Sequence, residues 1–340
     1  MTPIALPSRG SAGVTRAGEV LASARGDGMG DGGESRKTFM YPRLPTPMAG
    51  DATSPERSVC APRRDLPPGV EERFVDAGGV RFRYLTGGDG DATPVLLLHG
   101  WPTWSEVWLR VTPSLGTRHP WVAVDLPCQN RSSLLPGRDR SLSAYRRSLV
   151  AFVDALEMPR LALVGNSMGG TLAAMVALDR PERVSRLVLL DAAGLTPRLP
   201  GRTARLYLPF LLPCYFRAPG PNHVRKLLTK AVFHDPGFAD DAWVSAMVAG
   251  WSPRDRRRAL MATAFALRRP DASVASELGR IRVPTLVISG RQDVQFPWAS
   301  ALEASRGIPG AVFSAIDGAG HFPMVEKPVE ISDLISKFLV

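Results

Sequence analysis

One short segment, residues 163–174, constrains the fold of this chain more than any other. Its sequence is Leu-Val-Gly-Asn-Ser-Met-Gly-Gly-Thr-Leu-Ala-Ala, in which an apolar run stops at a serine between glycines and an alanine-rich run follows. This pattern predicts a buried strand, a sharp turn at Ser167 and a helix. Gly165 and Gly169 leave the turn the space it needs, because side chains there would collide with the strand and the helix. We therefore expect a strained backbone at Ser167.

The rest of the chain supplies further strands of the same kind. Continuous apolar segments, typical of strands buried on both faces of a parallel sheet, alternate with mostly amphipathic helical segments. They cover residues 94–99, 121–126, 161–164, 184–190 and 285–289. Two shorter alternating segments around the turn at 77–79 predict an antiparallel hairpin at the edge of the sheet. The sequence therefore predicts an α/β fold with a doubly wound, mostly parallel sheet.

The interval between the last two of these strands breaks the alternation, because it is about 90 residues long and helical in pattern. We predict that residues 196–272 form a helical lid inserted into a core of residues 67–195 and 273–340. An apolar stretch at 206–216 is expected to form the core of this lid. An apolar wall of the substrate pocket and a membrane-touching patch are the alternatives for that stretch.

Residues 1–66 are rich in Gly, Pro, Ser, Ala and Arg and carry no apolar periodicity, so we expect a disordered extension. A Gly-x-Gly-x-x-Gly pattern at residues 28–33 matches a dinucleotide-binding loop, but it lacks the strand and helix that give such a loop its meaning. The three cysteines stand at wide, irregular spacing that fits neither a disulfide framework nor a zinc site. The sequence therefore predicts no cofactor and no metal.

The formal net charge of +10 raises the question of an anionic partner. The basic excess lies in the predicted lid, where residues 196–272 contain thirteen Lys and Arg against five Asp. Solvated arginine explains this surplus most simply, and contact with nucleic acid or an anionic membrane surface is the alternative. No segment has the roughly 20 apolar residues that span a bilayer, and the start lacks the order of a secretory signal. We expect a cytoplasmic monomer or homodimer that acts on a small molecule and does not bind nucleic acid, with at most weak contact with a membrane surface.

A serine hydroxyl is a poor nucleophile at neutral pH, so Ser167 needs a base and an acid that orients the base. Asp293 follows a buried strand in a Gly-x-x-Asp turn, which places it at the carboxyl edge of the sheet. His321 lies in a glycine-flanked loop before the last helix. The order Ser, Asp, His matches a known arrangement of a catalytic triad on such a sheet. Asp191 also ends a strand and is the alternative acid, whereas we expect Asp125, at another strand end, to hold loops together.

Attack by serine on an acyl carbon also requires donors aimed at the oxyanion that forms. The backbone N–H of Met168 follows the nucleophile at the start of a helix, where the helix dipole favours negative charge. The backbone N–H of Trp101, in a turn that Gly100 permits, is the second predicted donor. The side chains expected to line the substrate pocket lie in these motifs or in the lid: His99, Trp104, Asn166, Tyr207 and Phe322.

Residues 70–340 resemble the lidded branch of the α/β-hydrolase superfamily. The resemblance rests on His-Gly-Trp-Pro at 99–102, Gly-Asn-Ser-Met-Gly-Gly at 165–170, Gly-Arg-Gln-Asp at 290–293 and Gly-Ala-Gly-His-Phe at 318–322. The first motif is similar to epoxide hydrolases and haloalkane dehalogenases, which use an aspartate nucleophile, so Ser167 argues against both activities. The second is similar to the meta-cleavage-product carbon–carbon hydrolases and also to esterases. The resemblance implies an α/β-hydrolase fold and a triad of Ser167, His321 and Asp293.

One loop departs from the family pattern. After Asp125, relatives usually carry glycine at two positions where this chain has Cys128 and Asn130. We therefore expect the loop beside the pocket to be reshaped.

The leading hypothesis is a cofactor-independent serine hydrolase. It would cleave a carboxylic ester of a medium-sized, largely apolar substrate through an acyl-enzyme on Ser167. A carbon–carbon bond hydrolase of the meta-cleavage-product type is an alternative, because it uses the same triad. A non-catalytic ligand-binding protein on the same fold is the other alternative.

Overall fold

Eight strands of the described residues form one mixed sheet. The computed structural model describes residues 66–197 and 220–340. The strands are β1 (Glu71–Ala77), β2 (Val80–Gly87), β3 (Val95–Leu98), β4 (Trp121–Val124), β5 (Leu161–Asn166), β6 (Val184–Leu190), β7 (Thr285–Gly290) and β8 (Val312–Ile316). Their order across the sheet is β1-β2-β4-β3-β5-β6-β7-β8, with β2 antiparallel to both of its neighbours and all other pairs parallel. The predicted edge hairpin and the mostly parallel sheet are therefore confirmed.

The burial of the strands explains their composition. β3, β4, β5 and β7 are buried at every position, whereas β1 at the edge is mostly half-buried. In β3, Leu96 and Leu98 join the hydrophobic cluster on one face of the sheet, and Val95 and Leu97 join the cluster on the other. Successive side chains of a strand point to opposite faces, so a strand covered on both sides must be apolar throughout.

Helices supply this covering on both faces. The described α-helices are α1 (Thr112–Gly116), α2 (Leu142–Ala155), α3 (Met168–Asp179), α4 (Pro221–Leu227), α5 (Asp241–Trp251), α6 (Arg254–Ala266), α7 (Trp298–Arg306), α8 (Pro323–Glu326) and α9 (Pro328–Leu339). The cluster of Leu96 and Leu98 contains residues of α2, α3 and α7, and the cluster of Val95 and Leu97 contains residues of α1 and α9. The sheet is therefore doubly wound, as predicted.

The described chain between β6 and β7 is mostly helical from residue 221 onward. α4 continues into a π-helical turn, Leu228–Val232, and α5 begins after Asp240, whose side chain accepts a hydrogen bond from Trp243 N at 2.7 Å. Buried residues of α4, α5 and α6 belong to the same cluster as those of α9. These helices therefore pack against the body of the protein, and their action as a lid stays a prediction.

Two parts of the sequence-based predictions lie outside the described residues. One is the N-terminal extension, up to residue 65, and the other is the apolar stretch at 206–216, which includes Tyr207. Within the described part of the chain, no helix combines the length and the apolar composition needed to cross a membrane.

Candidate active site

Ser167 occupies the turn between β5 and α3. Its φ of +54° and ψ of −120° lie outside the regions that a serine prefers, so the predicted strain is confirmed. A Cβ added to Gly165 would lie 2.6 Å from Gly170 N, and one added to Gly169 would lie 2.6 Å from His99 O. Only glycine fits at either position, because real Cβ atoms do not approach backbone atoms so closely. The turn therefore holds Ser167 at the carboxyl edge of the sheet.

His321 and Asp293 meet at this same edge. His321 Nδ1 donates to Asp293 Oδ2 at 2.7 Å, and both side chains are buried. The other carboxylate oxygen, Oδ1, accepts from Gln295 N at 2.7 Å and from Phe296 N at 3.2 Å. The ring centroids of Phe296 and Phe322 lie 5.4 and 5.5 Å from that of the imidazole, and the ring of Phe322 is stacked on it. The imidazole is therefore fixed in orientation and in tautomer, with its proton on Nδ1.

Asn166 ties the histidine loop to the turn of Ser167. Its Nδ2 donates to His321 O at 3.1 Å and to Leu190 O at 3.2 Å. The sequence placed Asn166 in the pocket wall, whereas the structure uses its amide nitrogen to join two loops. Its Oδ1 has no hydrogen-bond partner among the described residues.

The loop after β3 runs directly beside Ser167. A Cβ added to Gly100 would lie 2.9 Å from Ser167 Cβ, so this backbone passes the nucleophile at contact distance. Trp101 follows Gly100, and Met168 is the first residue of α3. The N–H groups of the first helical residues have no partner within the helix and lie at the positive end of its dipole. Trp101 and Met168 are thus each next to a residue of this contact, Gly100 or Ser167, and their role as oxyanion donors stays a prediction.

His99 shapes this loop instead of facing a pocket. Its Nδ1 donates to Gly100 O at 2.8 Å, and its Nε2 accepts from Leu126 N at 2.9 Å. The ring is fully buried, and this burial lowers the pKa of His99, so the neutral form that these two bonds require is favoured. We expected His99 to line the pocket, but both of its ring nitrogens are hydrogen-bonded to the backbone.

Asp125 fastens the same loop to the sheet, as the sequence led us to expect. Its Oδ1 accepts from Ser105 N at 2.9 Å, while Oδ2 accepts from Asn130 Nδ2 at 2.7 Å and from Arg83 Nη1 at 3.2 Å. Arg83 also donates to Glu106 at 2.7 Å and to Glu72 at 2.9 Å. Burial alone lowers the pKa of Arg83, but these carboxylates outweigh it and the pKa is raised.

The loop that departs from the family pattern keeps a backbone that glycine favours. Cys128 and Asn130 both have positive φ, +66° and +43°. This is the left-handed region that glycine adopts at no steric cost. The bond from Asn130 to Asp125 and a 3.4 Å bond from Leu135 N to Cys128 Sγ help hold it. Cys128 and Asn130 therefore both occupy the left-handed region, and the expected difference in loop shape from relatives stays a prediction.

Asp191, the alternative acid, does not contact the imidazole. Its carboxyl accepts from Ser289 Oγ at 2.7 Å and from Gly290 N at 3.0 Å. It is completely buried, and burial, followed by the neighbouring Asp293, raises the pKa of Asp191 well above its ordinary value. Asp293 is therefore the carboxylate in the position to orient His321.

Aromatic residues connect the site to the helices between β6 and β7. Trp104 and Trp243 have ring centroids 5.5 Å apart, and Trp243 lies 6.2 Å from Phe322. Phe233 contacts both Trp243 and Phe322 edge-on. Two predicted pocket residues, Trp104 and Phe322, thus lie where the body meets these helices.

Comparison with known proteins now identifies the family. The family model for the alpha/beta hydrolase fold matches residues 93–328. The chain belongs to this family. The fold that the motifs implied is therefore confirmed, and the chain is a hydrolase of the α/β-hydrolase superfamily.

Several relatives of this α/β-hydrolase are named for what they act on. A 2-hydroxy-6-oxo-6-(2'-aminophenyl)hexa-2,4-dienoic acid hydrolase of Metapseudomonas resinovorans is 29% identical over 79% of this chain and 90% of its own length. Among solved structures, a serine hydrolase involved in carbazole degradation is 28% identical, with a TM-score of 0.66 over 79% of this chain and 98% of that one. A bacterial membrane phospholipase A is also 28% identical, with a TM-score of 0.66 over 80% of this chain and 86% of that one.

Proposed function

We propose that this α/β-hydrolase is a serine hydrolase in which Ser167 attacks an acyl carbon. The observation that carries the proposal is the 2.7 Å contact between His321 Nδ1 and Asp293 Oδ2, in a loop that Asn166 joins to the turn of Ser167. A carboxylate only accepts hydrogen bonds, so Asp293 keeps the proton on Nδ1 and leaves Nε2 free to take the proton of Ser167.

The reaction follows from these positions. Ser167 Oγ bonds to the acyl carbon as His321 Nε2 takes its proton, and the backbone N–H groups of Met168 and Trp101 stabilise the oxyanion. Asp293 stabilises the imidazolium, which then protonates the leaving group as its bond to the acyl carbon breaks. Water, activated by the same imidazole, releases the acid and restores Ser167.

We favour a carbon–carbon bond hydrolase of the meta-cleavage-product type over an ester hydrolase. The relative from Metapseudomonas resinovorans is named as the hydrolase of such a dienoic acid, and relatives from two further species are named for dienedioates. Ester hydrolysis of an apolar substrate stays the second candidate, since the phospholipase relative is just as similar as the carbazole-degradation enzyme. Both reactions use the same serine, base and oxyanion donors.

Buried polar atoms of two side chains, the half-buried Arg256 and the buried Gln129, support a substrate with a carboxylate. Arg256, near the start of α6, has a buried Nη1 without a hydrogen-bond partner in the described residues, and burial lowers the pKa of this guanidinium. Gln129 lies in the loop after Asp125, and its side chain is buried. Neither the oxygen nor the nitrogen of its amide has a hydrogen-bond partner among the described residues. A planar, unpaired guanidinium is suited to bind a carboxylate.

Labelling with a fluorophosphonate probe tests the nucleophile. We expect the wild type to be labelled, and the Ser167→Ala variant to lose the label completely. Ser252→Ala, at an exposed serine between α5 and α6, is the matched control and should label normally. Labelling that persists in Ser167→Ala would remove the proposal.

A substrate pair tests the kind of bond. A 2-hydroxy-6-oxo-6-phenylhexa-2,4-dienoate and a neutral p-nitrophenyl ester of similar size should be compared, with kcat/KM higher for the dienoate. Arg256→Gln should raise KM for the dienoate and leave the neutral ester unchanged, whereas the exposed Arg258→Gln should change neither. Faster turnover of the ester with no effect of Arg256→Gln would favour the ester hydrolase.

A further inference from the structure

A buried carboxylate, Glu326, joins the histidine loop to the segment that follows the π-helical turn. Glu326 Oε1 accepts from His234 N at 2.8 Å and from Asp235 N at 2.9 Å. Its Oε2 accepts from Gly320 N at 2.6 Å, directly before His321. Glu326 is only 7% exposed and is the last residue of the short helix α8, whose four residues are all buried. We call residues 231–235 the strap.

The strap also touches the histidine loop through the backbone alone. His321 N donates to Val232 O at 2.7 Å. A Cβ added to Gly320 would lie 2.5 Å from Val232 O and 2.8 Å from His234 N, so no side chain fits between the two segments. Any movement of the strap away from the body must therefore break bonds of the residue that carries the imidazole.

The turn of Asp293 is fastened to the same strap. Gln295 Nε2 donates to Ala231 O at 2.8 Å, and Gln295 N donates to Asp293 Oδ1 at 2.7 Å. The base and the carboxylate that orients it are thus both connected to five consecutive residues between β6 and β7. In contrast, Asp125, the carboxylate that fastens the oxyanion loop, takes its hydrogen bonds from Arg83, Ser105, Asn130 and Arg131, all within the body.

We propose that Glu326 is a positioning residue that couples the strap to His321, so that the imidazole is held in place only while the strap is docked. Three backbone N–H donors converge on one carboxylate, and hydrogen bonds to a charged acceptor are the stronger kind. Glutamine has one acceptor oxygen in place of two, and its amide nitrogen would face an N–H donor on one side. Glu326→Gln should therefore release either the strap or the loop while keeping the volume of the side chain.

The test combines hydrogen exchange with kinetics, and its kinetic half rests on the proposed function. In Glu326→Gln we expect faster amide exchange at residues 231–235 and 320–322, and a kcat lower by on the order of 10²-fold with little change in KM. The rate of fluorophosphonate labelling of Ser167 should fall in parallel. Glu330→Gln, at an exposed glutamate of α9, is the control and should change none of these.

Two results would overturn the coupling: exchange at the strap and at 320–322 that stays at the wild-type rate, or faster exchange there with unchanged kcat. If Glu326→Gln does not fold, Gln295→Met probes the same connection from the other loop and must both loosen residues 231–235 and lower kcat. The exchange measurement needs no turnover. Failure of the wild type to label at Ser167 would therefore sink the proposed function and leave the coupling of strap and loop to be judged by exchange.

Discussion

The two sides of Ser167 are fixed to the protein in different ways. On the oxyanion side, the loop from His99 to Ser105 is held by the buried charges of Asp125 and Arg83, which belong to the body. On the base side, the loop of His321 is joined to the segment between β6 and β7 by a backbone hydrogen bond from His321 N to Val232 O and by the carboxylate of Glu326. One bond from α5, Trp251 Nε1 to Pro102 O at 3.4 Å, also reaches the predicted oxyanion side, whereas four hydrogen bonds join the base side to residues 231–235.

This difference separates the predicted oxyanion donors from the proton-transfer residues. If the proposals hold, proton transfer depends on the docked strap, whereas the predicted oxyanion donors depend mainly on the charges of Asp125 and Arg83. We expect changes on the base side to lower turnover with little loss of stability, and changes in the charges behind the oxyanion side to lower stability first.

The largest effect on activity is expected from Asp293→Asn on the base side. An asparagine that donates from Nδ2 would place the imidazole proton on the wrong nitrogen, and kcat should fall on the order of 10⁴-fold. Asp191 does not take over, because Ser289 and Gly290 hold its carboxyl. Asp317→Asn, at an exposed residue, is the control. A loss of less than about tenfold in steady-state kcat would place the orienting acid elsewhere.

The next effect is expected from Gly100→Ala on the oxyanion side. The added Cβ would lie 2.9 Å from Ser167 Cβ and 3.0 Å from Asn166 Oδ1, so the loop must shift and the Trp101 donor with it. Losing one oxyanion donor typically lowers kcat by about 10²- to 10³-fold. Gly250→Ala, where an added Cβ meets nothing within 4 Å, should be neutral. An unchanged kcat would remove Trp101 from the oxyanion hole.

Arg83→Met should act on stability before activity. It leaves the buried carboxylate of Asp125 and the half-buried one of Glu106 without Arg83, and breaking a buried ion pair typically costs about 3–5 kcal/mol of unfolding free energy. Urea unfolding measures the loss. The exposed pair of Arg306 and Glu303 offers the control, since Arg306→Met should cost less than about 1 kcal/mol. An equal loss of unfolding free energy in Arg83→Met and Arg306→Met would show that the charges of Arg83 and Asp125 do not stabilise the oxyanion side.

The smallest effect is expected from Asp191→Asn, and it depends on pH. A carboxyl whose folded pKa is raised stabilises the fold below its unfolded pKa of about 3.9, and this contribution is lost as the pH rises through the folded value. Asparagine keeps an acceptor for Ser289 and Gly290 and does not titrate. The unfolding free energy of the variant, relative to the wild type, should therefore increase from pH 4 to pH 8 in urea titrations. The same pH dependence in both proteins would contradict the raised pKa of Asp191.

The sequence predicts the parts of the site that local geometry determines. Ser167, Asp293 and His321 each stand in a glycine-containing turn at the end of an apolar strand or before a helix. Each of these turns is recognised from a motif of five or six consecutive residues, so no contact with a distant segment is needed to predict it. The same reasoning predicted every strand from β1 to β7.

The parts that the sequence did not reveal depend on contacts between distant segments. β8 is a short, half-exposed edge strand, and its pattern has none of the continuous apolar character of the inner strands. Arg83 lies on the same face of β2 as the exposed Arg81, so the strand pattern gives no sign that Arg83 is buried. Two of its hydrogen-bond partners, Ser105 and Glu106, lie in a turn more than 20 residues further along the chain. Glu326, the last residue of α8, looks like an ordinary surface residue in the sequence, and two of its three hydrogen-bond partners lie about 90 positions away.

The most direct test of the central claim is a rapid acid quench of the enzyme during turnover of a p-nitrophenyl ester, followed by mass spectrometry of the peptide that contains Ser167. We predict an acyl adduct on this serine in the wild type, and none in Ser167→Ala. In Asp293→Asn the adduct should form much more slowly. Turnover without any adduct on Ser167, or an adduct on another residue, would contradict it.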